Sequence, residues 1–406
     1  MIILSFGIFL FFLTGTCYGN MIQCKDETGN NVDWFVMYKI PKIAESANPV
    51  IRKGVAYMFM TNNTVNDGWQ LSKRDISSVD SIPGKTLESL YNDKVAEKLA
   101  WLVYNDQPPN TNSSHSKYGH AKGVIMTNEN QGFWLIHSVP SFPSMPRTGT
   151  EKKKKNNTKE IIQDCENKKK NTTDDLPIGE YSYPNSGKVY GQSFLCISIN
   201  SSEINFIANQ LIYNQIITYK HNIPDKLKEK FTSLLNVTTR PKIKRPPYNN
   251  KGVFESTEGV KFTSFAKTDK WQKDLYDDFV APQLQVDMLA ETWLNGRGKL
   301  PSECNGTQVL NVQSIILNSA NVEFKSSRDH SKWAVAMKNI KNKSWICIGD
   351  INRADTQFNR GGGTVCLNSL NLWKNYRDSV NDVESCPRKK TGFIKSIKKW
   401  FSKTIG

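Results

Sequence analysis

Histidine is scarce in this chain, with five copies in 406 residues, and no two cysteines stand two to four residues apart with a histidine at matching spacing. The ligand patterns of structural zinc sites are therefore missing, so the expectation is chemistry without metal or other cofactor. Long apolar runs are equally rare. The one prominent stretch, Ile2 to Leu13, is too short to cross a bilayer. No Lys or Arg precedes Lys25, so the charged start of a secretory leader is lacking. The apolar core followed by Gly15-Thr16-Cys17-Tyr18-Gly19 still reads as a signal peptide over residues 1–19, cleaved after Gly19, with an uncleaved anchor as the alternative. Acidic residues are in deficit, 38 against 54 Lys plus Arg, for a formal charge of +16. That balance favours polyanionic partners, although part of it sits in polar segments such as Lys152 to Lys155 and Lys168 to Lys170.

What the chain does have fits export. Asn62, Asn112, Asn156, Asn171, Asn200, Asn236, Asn305 and Asn342 each begin an Asn-x-Ser/Thr triplet, and these are read as glycosylation sites. With Cys17 removed, Cys24, Cys165, Cys196, Cys304, Cys347, Cys366 and Cys386 meet an oxidising compartment, an odd number that leaves one thiol over. Secretion is the expected destination and the lysosome the alternative.

The chain is long enough for one large or two moderate domains. Asp33 to Lys42 is β-branched and aromatic and reads as an opening strand, with Ala56 to Met60 as its neighbour. Leu87, Leu90, Tyr91, Val95 and Leu99 have helical spacing and should cover one sheet face. Residues 147–180 lose apolar periodicity and fill with Lys, Asn and Thr, as a surface insertion does. Order resumes with a strand around Phe194, a helix over Ile204 to Tyr219, and an amphipathic helix over Trp271 to Trp293. Strands alternating with helices on both sides of the insertion argue for an α/β fold in halves of about 20–187 and 188–386, followed by a tail over 387–406.

The chemistry concentrates in two similar hairpins. His120-Ala121-Lys122 opens one, which turns at Asn128 to Gly132; His330-Ser331-Lys332 opens the other, which turns at Asn339 to Lys343. Side chains alternate along a strand, so each imidazole shares a face with an ammonium. Metal-free phosphodiester cleavage needs a nucleophile, an acid for the leaving oxygen and cations for the other oxygens, which two His and two Lys supply. A mildly acidic optimum follows if both imidazoles titrate near their ordinary value. A third pair, His115-Ser116-Lys117, lies in a polar run beside Asn112 and reads as a solvated loop. Asp329 points to the face opposite His330 and reads as structural. Asn352 and Ser138, at the ends of the two return strands, are candidates to bind phosphate or orient a histidine, with a turn cap as the plain alternative.

Several strings carry a resemblance: Asp33 to Pro41, Tyr104 to Pro109, His120 to Gly123, Gly132 to Pro140, Tyr190 to Cys196, Asp329 to Trp333, Gly349 to Arg353, and Arg360 to Cys366. Together they resemble animal deoxyribonuclease II over about residues 22–386. The resemblance implies a phospholipase D-like fold of two pseudo-symmetric halves, each a mixed β-sheet flanked by helices, with the active site between them. It further implies endonucleolysis of DNA at acid pH without divalent cations, leaving 3′-phosphate ends. His120, Lys122, His330 and Lys332 fall on the family's catalytic positions. His120 is assigned the nucleophile and His330 the acid, with the reverse open; a monomer completes one site. The implied disulfides are Cys347 with Cys366 and Cys304 with Cys386; Cys24 pairs with Cys165 or Cys196.

The tail departs from the family pattern. Phe393, Ile394, Ile397, Trp400, Phe401 and Ile405 make an apolar face opposite Lys395, Lys398, Lys399 and Lys403, the pattern of an interfacial helix that binds anionic membrane or DNA. Two rival functions stand beside the nuclease: a catalytically silent protein that binds nucleic acid or a partner protein, and a lipid phosphodiesterase using the same chemistry.

Overall fold

A computed structural model describes residues 21–111, 117–147 and 176–386. The expected leader, Asn112, Asn156, Asn171, His115, Cys165, most of the expected insertion and the tail lie outside the described residues.

Two large sheets organise the molecule. In the first, the strands run in the order Thr218–Asn222, Ala100–Asn105, Lys122–Thr127, Gln131–His137, Gln192–Asn200, Trp34–Lys39, Tyr57–Thr61 and Gln70–Leu71. Every neighbouring pair in it is antiparallel. The second places Asn249–Glu255, Lys261–Lys267, Gly362–Asn368, Trp345–Gly349, Trp333–Ala336, Met288–Glu291, Val309–Leu317 and Val322–Lys325 side by side. One parallel pair, Met288–Glu291 with Val309–Leu317, makes this sheet mixed, so the expectation of mixed sheets holds for one half and not the other. Five central strands repeat between the sheets in the same chain order and the same spatial order, beginning with Trp34–Lys39 in one and Lys261–Lys267 in the other.

The strands read as near-continuous apolar runs because both sheet faces are buried. Alternation sorts them: Trp34, Val36 and Tyr38 enter a central core shared with Trp333, Val335 and Ile348 of the second sheet, while Phe35 and Met37 join an outer layer with Leu87, Leu90 and Leu99. On the far side of the second sheet, Leu275, Tyr276, Phe279, Val280 and Leu284 form the third apolar cluster. The two sheets are thus sandwiched face to face, which sets their strand ends beside each other.

Several expectations shift. The half boundary lies between Asn222 and Asn249, later than residue 187, because Gln192–Asn200 pairs with both Trp34–Lys39 and Gln131–His137 in the first sheet. The insertion interrupts that half and does not separate the two. The helix from Ile204 stops at Tyr213; Gln215 has a positive φ of 53°, and Tyr219 belongs to a strand. The Trp271 to Trp293 pattern is broken into short turns, with left-handed Gln272 and Gln285 and the strand Met288–Glu291. Its apolar spacing was real, but those reversals cut its length. The Leu87 stretch likewise forms two short helices, Glu88–Tyr91 and Asp93–Ala96.

Three disulfides form: Cys304–Cys386, Cys347–Cys366, and Cys24–Cys196, which decides the open partner of Cys24. Among the sequon asparagines described, Asn200, Asn236, Asn305 and Asn342 are exposed and Asn62 is half-buried. No helix among the described residues is long and apolar enough to cross a membrane.

Candidate active site

His120 and His330 come together where the ends of the two sheets meet. Their ring centroids are 6.4 Å apart, close enough for one phosphate to touch both. The sequence separation between them is closed by the pseudo-twofold relation of the halves.

Each histidine is held by the opposite half. The His120 backbone N–H donates to the Gly361 carbonyl over 2.9 Å, and its ring Nδ1 meets the Asp350 carbonyl. The His330 backbone N–H donates to the Gly191 carbonyl over 2.9 Å, and its Nδ1 sits 3.1 Å from the Ser138 carbonyl. At His120 the carbonyl facing Nδ1 makes that nitrogen the proton carrier and leaves Nε2 to face a substrate, whereas at His330 the same nitrogen also lies beside Lys332 Nζ. Neither Nε2 has a hydrogen bond among the described residues. Close approach requires glycine on both sides: a Cβ at Gly191 would lie 2.3 Å from the Asp329 carboxylate, and one at Gly361 2.5 Å from the Asn214 carbonyl.

The lysines differ. Lys122 is fully buried and donates to Asp106 Oδ1 over 2.5 Å, while Arg360 donates to the other carboxylate oxygen over 2.8 Å. Arg360 also binds the Tyr118 carbonyl at 2.9 Å, so this cluster braces the segment that carries His120. Lys332 is buried with its Nζ 3.1 Å from His330 Nδ1 and 2.5 Å from the His330 carbonyl, and it makes no salt bridge among the described residues. Near it, Glu291 is wholly buried, with one oxygen receiving the Ser326 hydroxyl at 2.5 Å.

Electrostatics follows from burial around several cations. Burial and then the Lys122 ammonium hold His120 well below the usual imidazole range; burial and then Lys332, Lys122 and His120 do the same to His330. Neither histidine therefore titrates at its ordinary value in the free site, contrary to the simple expectation from sequence. Burial and then Lys122 also depress Lys332. Burial alone would raise Asp106, but Lys122, His120 and Arg360 keep its carboxyl far below the usual range. Burial pushes Asp350 up to about 7 and Glu291 well above the ordinary carboxyl value, so the site also holds weak acids. A phosphodiester entering here brings the negative charge that the cluster of cations lacks.

The two candidate binders turn out otherwise than their side chains suggest. The Ser138 hydroxyl donates to Gln192 at 2.6 Å and accepts from the Ser193 N–H at 3.0 Å, so it is spent inside the fold. It is the Ser138 carbonyl that orients His330. Asn352 accepts the Trp293 N–H at 3.3 Å, and the Trp293 ring lies edge-on to His330 at 5.2 Å. Asp329 receives the Ser331 and Tyr38 hydroxyls and makes no hydrogen bond to the His330 ring among the described residues; it and His330 lie ahead of the strand that starts at Trp333. Sequence reasoning missed Asp106, Arg360, Trp293 and the two glycines as site components, although Asp106 and Arg360 lay inside the strings quoted for the resemblance.

The model of the family described as Deoxyribonuclease II matches residues 23–386. Plancitoxin-1 of Acanthaster planci is 35% identical over 368 residues, covering 90% of this chain and 92% of that one. Deoxyribonuclease-2-alpha of Rattus norvegicus is 35% identical over 369 residues, covering 90% and 95%. Deoxyribonuclease-2-beta of Homo sapiens is 31% identical over 385 residues, covering 94% and 96%. With a family match of that extent joined to the phospholipase D-like pairing of two sheets, the chain belongs to the deoxyribonuclease II family of DNA-degrading nucleases.

Proposed function

We propose that the protein is a secreted acid endonuclease that hydrolyses DNA phosphodiesters without metal through a phosphohistidine, leaving 3′-phosphate ends. The observation that carries this reading is the 6.4 Å between the two imidazoles, each with its Nδ1 against a carbonyl of the other half. His120 Nε2 attacks phosphorus, a P–N bond forms, and the P–O5′ bond breaks as protonated His330 Nε2 delivers its proton to the departing oxygen. Water then attacks phosphorus, gives its proton to His330, and the P–N bond breaks to release the 3′-phosphate. Lys122 and Lys332 stabilise the oxygens that gain charge. Because burial and neighbouring cations depress both histidines, acid is needed to charge the one that serves as donor, and the rate rises as pH falls below neutrality.

Three disulfides and exposed sequon asparagines support an oxidising destination, outside the cell or in the lysosome. Plasmid is incubated at pH 5 in EDTA with the protein, with His120→Ala and with His330→Ala. Cleavage by the parent and its loss in both variants supports the reading. A parent that binds plasmid and leaves it intact makes the protein a nucleic-acid binder.

A further inference from the structure

Two buried lysines outside the His-x-Lys pairs occupy matching places in the two halves. Lys39 ends the Trp34–Lys39 strand and pairs with Gln192; Lys267 ends the Lys261–Lys267 strand and pairs with Gly362. Both are essentially inaccessible to solvent, at 0% and 1% exposure, and neither makes a salt bridge among the described residues. Their ammonium groups are satisfied by main-chain carbonyls instead. Lys39 Nζ donates to Lys188 and Tyr190, both at 2.6 Å. Lys267 Nζ donates to Gln357 at 2.8 Å and Arg360 at 2.7 Å.

Those carbonyls belong to the two segments that hold the histidines. Tyr190 precedes Gly191, whose carbonyl receives the His330 N–H; Arg360 precedes Gly361, whose carbonyl receives the His120 N–H. Each segment also follows a short helical turn, Asn185–Val189 or Asp355–Gln357, whose carbonyl end attracts a cation. The strings Tyr190-Gly191 to Cys196 and Arg360-Gly361 to Cys366 have the same length and share a glycine in second place and a cysteine in last.

We propose that Lys39 and Lys267 are paired positioning residues, each clamping the glycine segment that fixes the histidine of the opposite half: Lys39 sets His330 and Lys267 sets His120. The assignment rests on the reading of the two histidines as the catalytic pair. A bond to a main-chain carbonyl one residue from the histidine's own anchor transmits displacement directly. Loss of the clamp lets the imidazole drift from its attacking line; at Lys267 the same loss also reaches the Asp106–Lys122 pair through Arg360.

The test uses Lys39→Met and Lys267→Met, which keep length and remove the donors, with Lys39→Arg and Lys267→Arg as donor-retaining controls. Histidines labelled at the ring Cε1 carbon report each imidazole by NMR in the whole protein, assigned with His120→Ala and His330→Ala. The expected result is that Lys267→Met moves the His120 signal and leaves that of His330, with the mirror outcome for Lys39→Met. Turnover of plasmid at pH 5 should fall about 10–100-fold with KM within about twofold, and the Arg variants should recover at least about half of that loss on a logarithmic scale. Unmoved signals in both Met variants, or equal movement of both signals by either, overturns the proposal. Should a Met variant not fold, the Leu variant, which also lacks a donor, is read by the same criteria. The resonance arm needs no turnover, so a parent that fails to cut DNA refutes the nuclease reading and still leaves the clamp measured.

Discussion

Replacing Asp106 with Asn removes the buried carboxylate that Lys122 and Arg360 share. In the parent, Asp106 is 3% exposed, with Lys122 at 2.5 Å and Arg360 at 2.8 Å. The amide keeps the shape and drops the charge, leaving a buried ammonium and a guanidinium side by side without a counter-ion. Breaking a buried pair by removing one partner typically costs about 3–5 kcal/mol, which for a chain of this size lowers Tm by roughly 4–6 °C. The sign with pH is fixed by the direction of the shift. Asp106 titrates below its unfolded value, so its contribution is complete above about pH 4 and is lost only as pH falls through the folded value. The Tm gap between parent and Asp106→Asn is therefore the same at pH 7 and pH 5 and closes only in stronger acid. Asp106 also favours charged His120, so the variant's activity profile moves to lower pH. The assays are calorimetry from pH 3 to 7 and plasmid cleavage over the same range. A Tm unchanged at pH 5 together with an unmoved profile refutes the reasoning.

Glu291→Gln works in the other direction. Burial raises this carboxyl, so the folded parent keeps a proton that the unfolded chain releases above about pH 4.5, and parent stability is lost as pH rises toward the folded value. The variant should gain on the parent by up to about 1.4 kcal/mol per pH unit above that point and match it in stronger acid; a pH-independent difference in chemical denaturation speaks against a neutral buried acid. Ser138→Ala should lose roughly 1–3 kcal/mol from two buried hydrogen bonds, while activity per folded molecule stays within a few-fold because the carbonyl that orients His330 remains. A loss near that of His330→Ala would mean that the hydroxyl itself handles substrate.

The parts of this site that were legible in sequence are those carried by a short local pattern. Two hairpins opening with His-x-Lys mark both histidines and both lysines, although the strands begin only at Lys122 and Trp333, so the histidines sit just ahead of them and strand alternation does not set their direction. The partners of those residues were not legible. Asp106 and Arg360 are 254 residues apart, and no local spacing announces a contact made only when two sheets meet. The Ser138 hydroxyl is what the sequence displays, but the group that meets His330 is its carbonyl, which every residue type carries. The repeat was equally hidden: Lys39 and Lys267 match in sheet register, while the strings around them share few side chains. The broken Trp271 to Trp293 segment shows the converse, a true apolar face whose length was set by backbone reversals at Gln272 and Gln285.

The proposed cleavage requires a single phosphorus atom to meet both imidazoles, with one of them bonded to it in passing. Quenching in alkaline denaturant of the protein mixed at pH 5 in EDTA with oligonucleotide bearing radioactive phosphate at internal linkages, followed by peptide mapping under alkaline conditions that preserve a P–N bond, tests that most directly. The expected result is label on the peptide containing His120, attached through the 3′-phosphate of the cut strand, and none in His120→Ala. Rapid cleavage with no labelled histidine at any quench time, or label retained in His120→Ala on a residue other than His330, contradicts it.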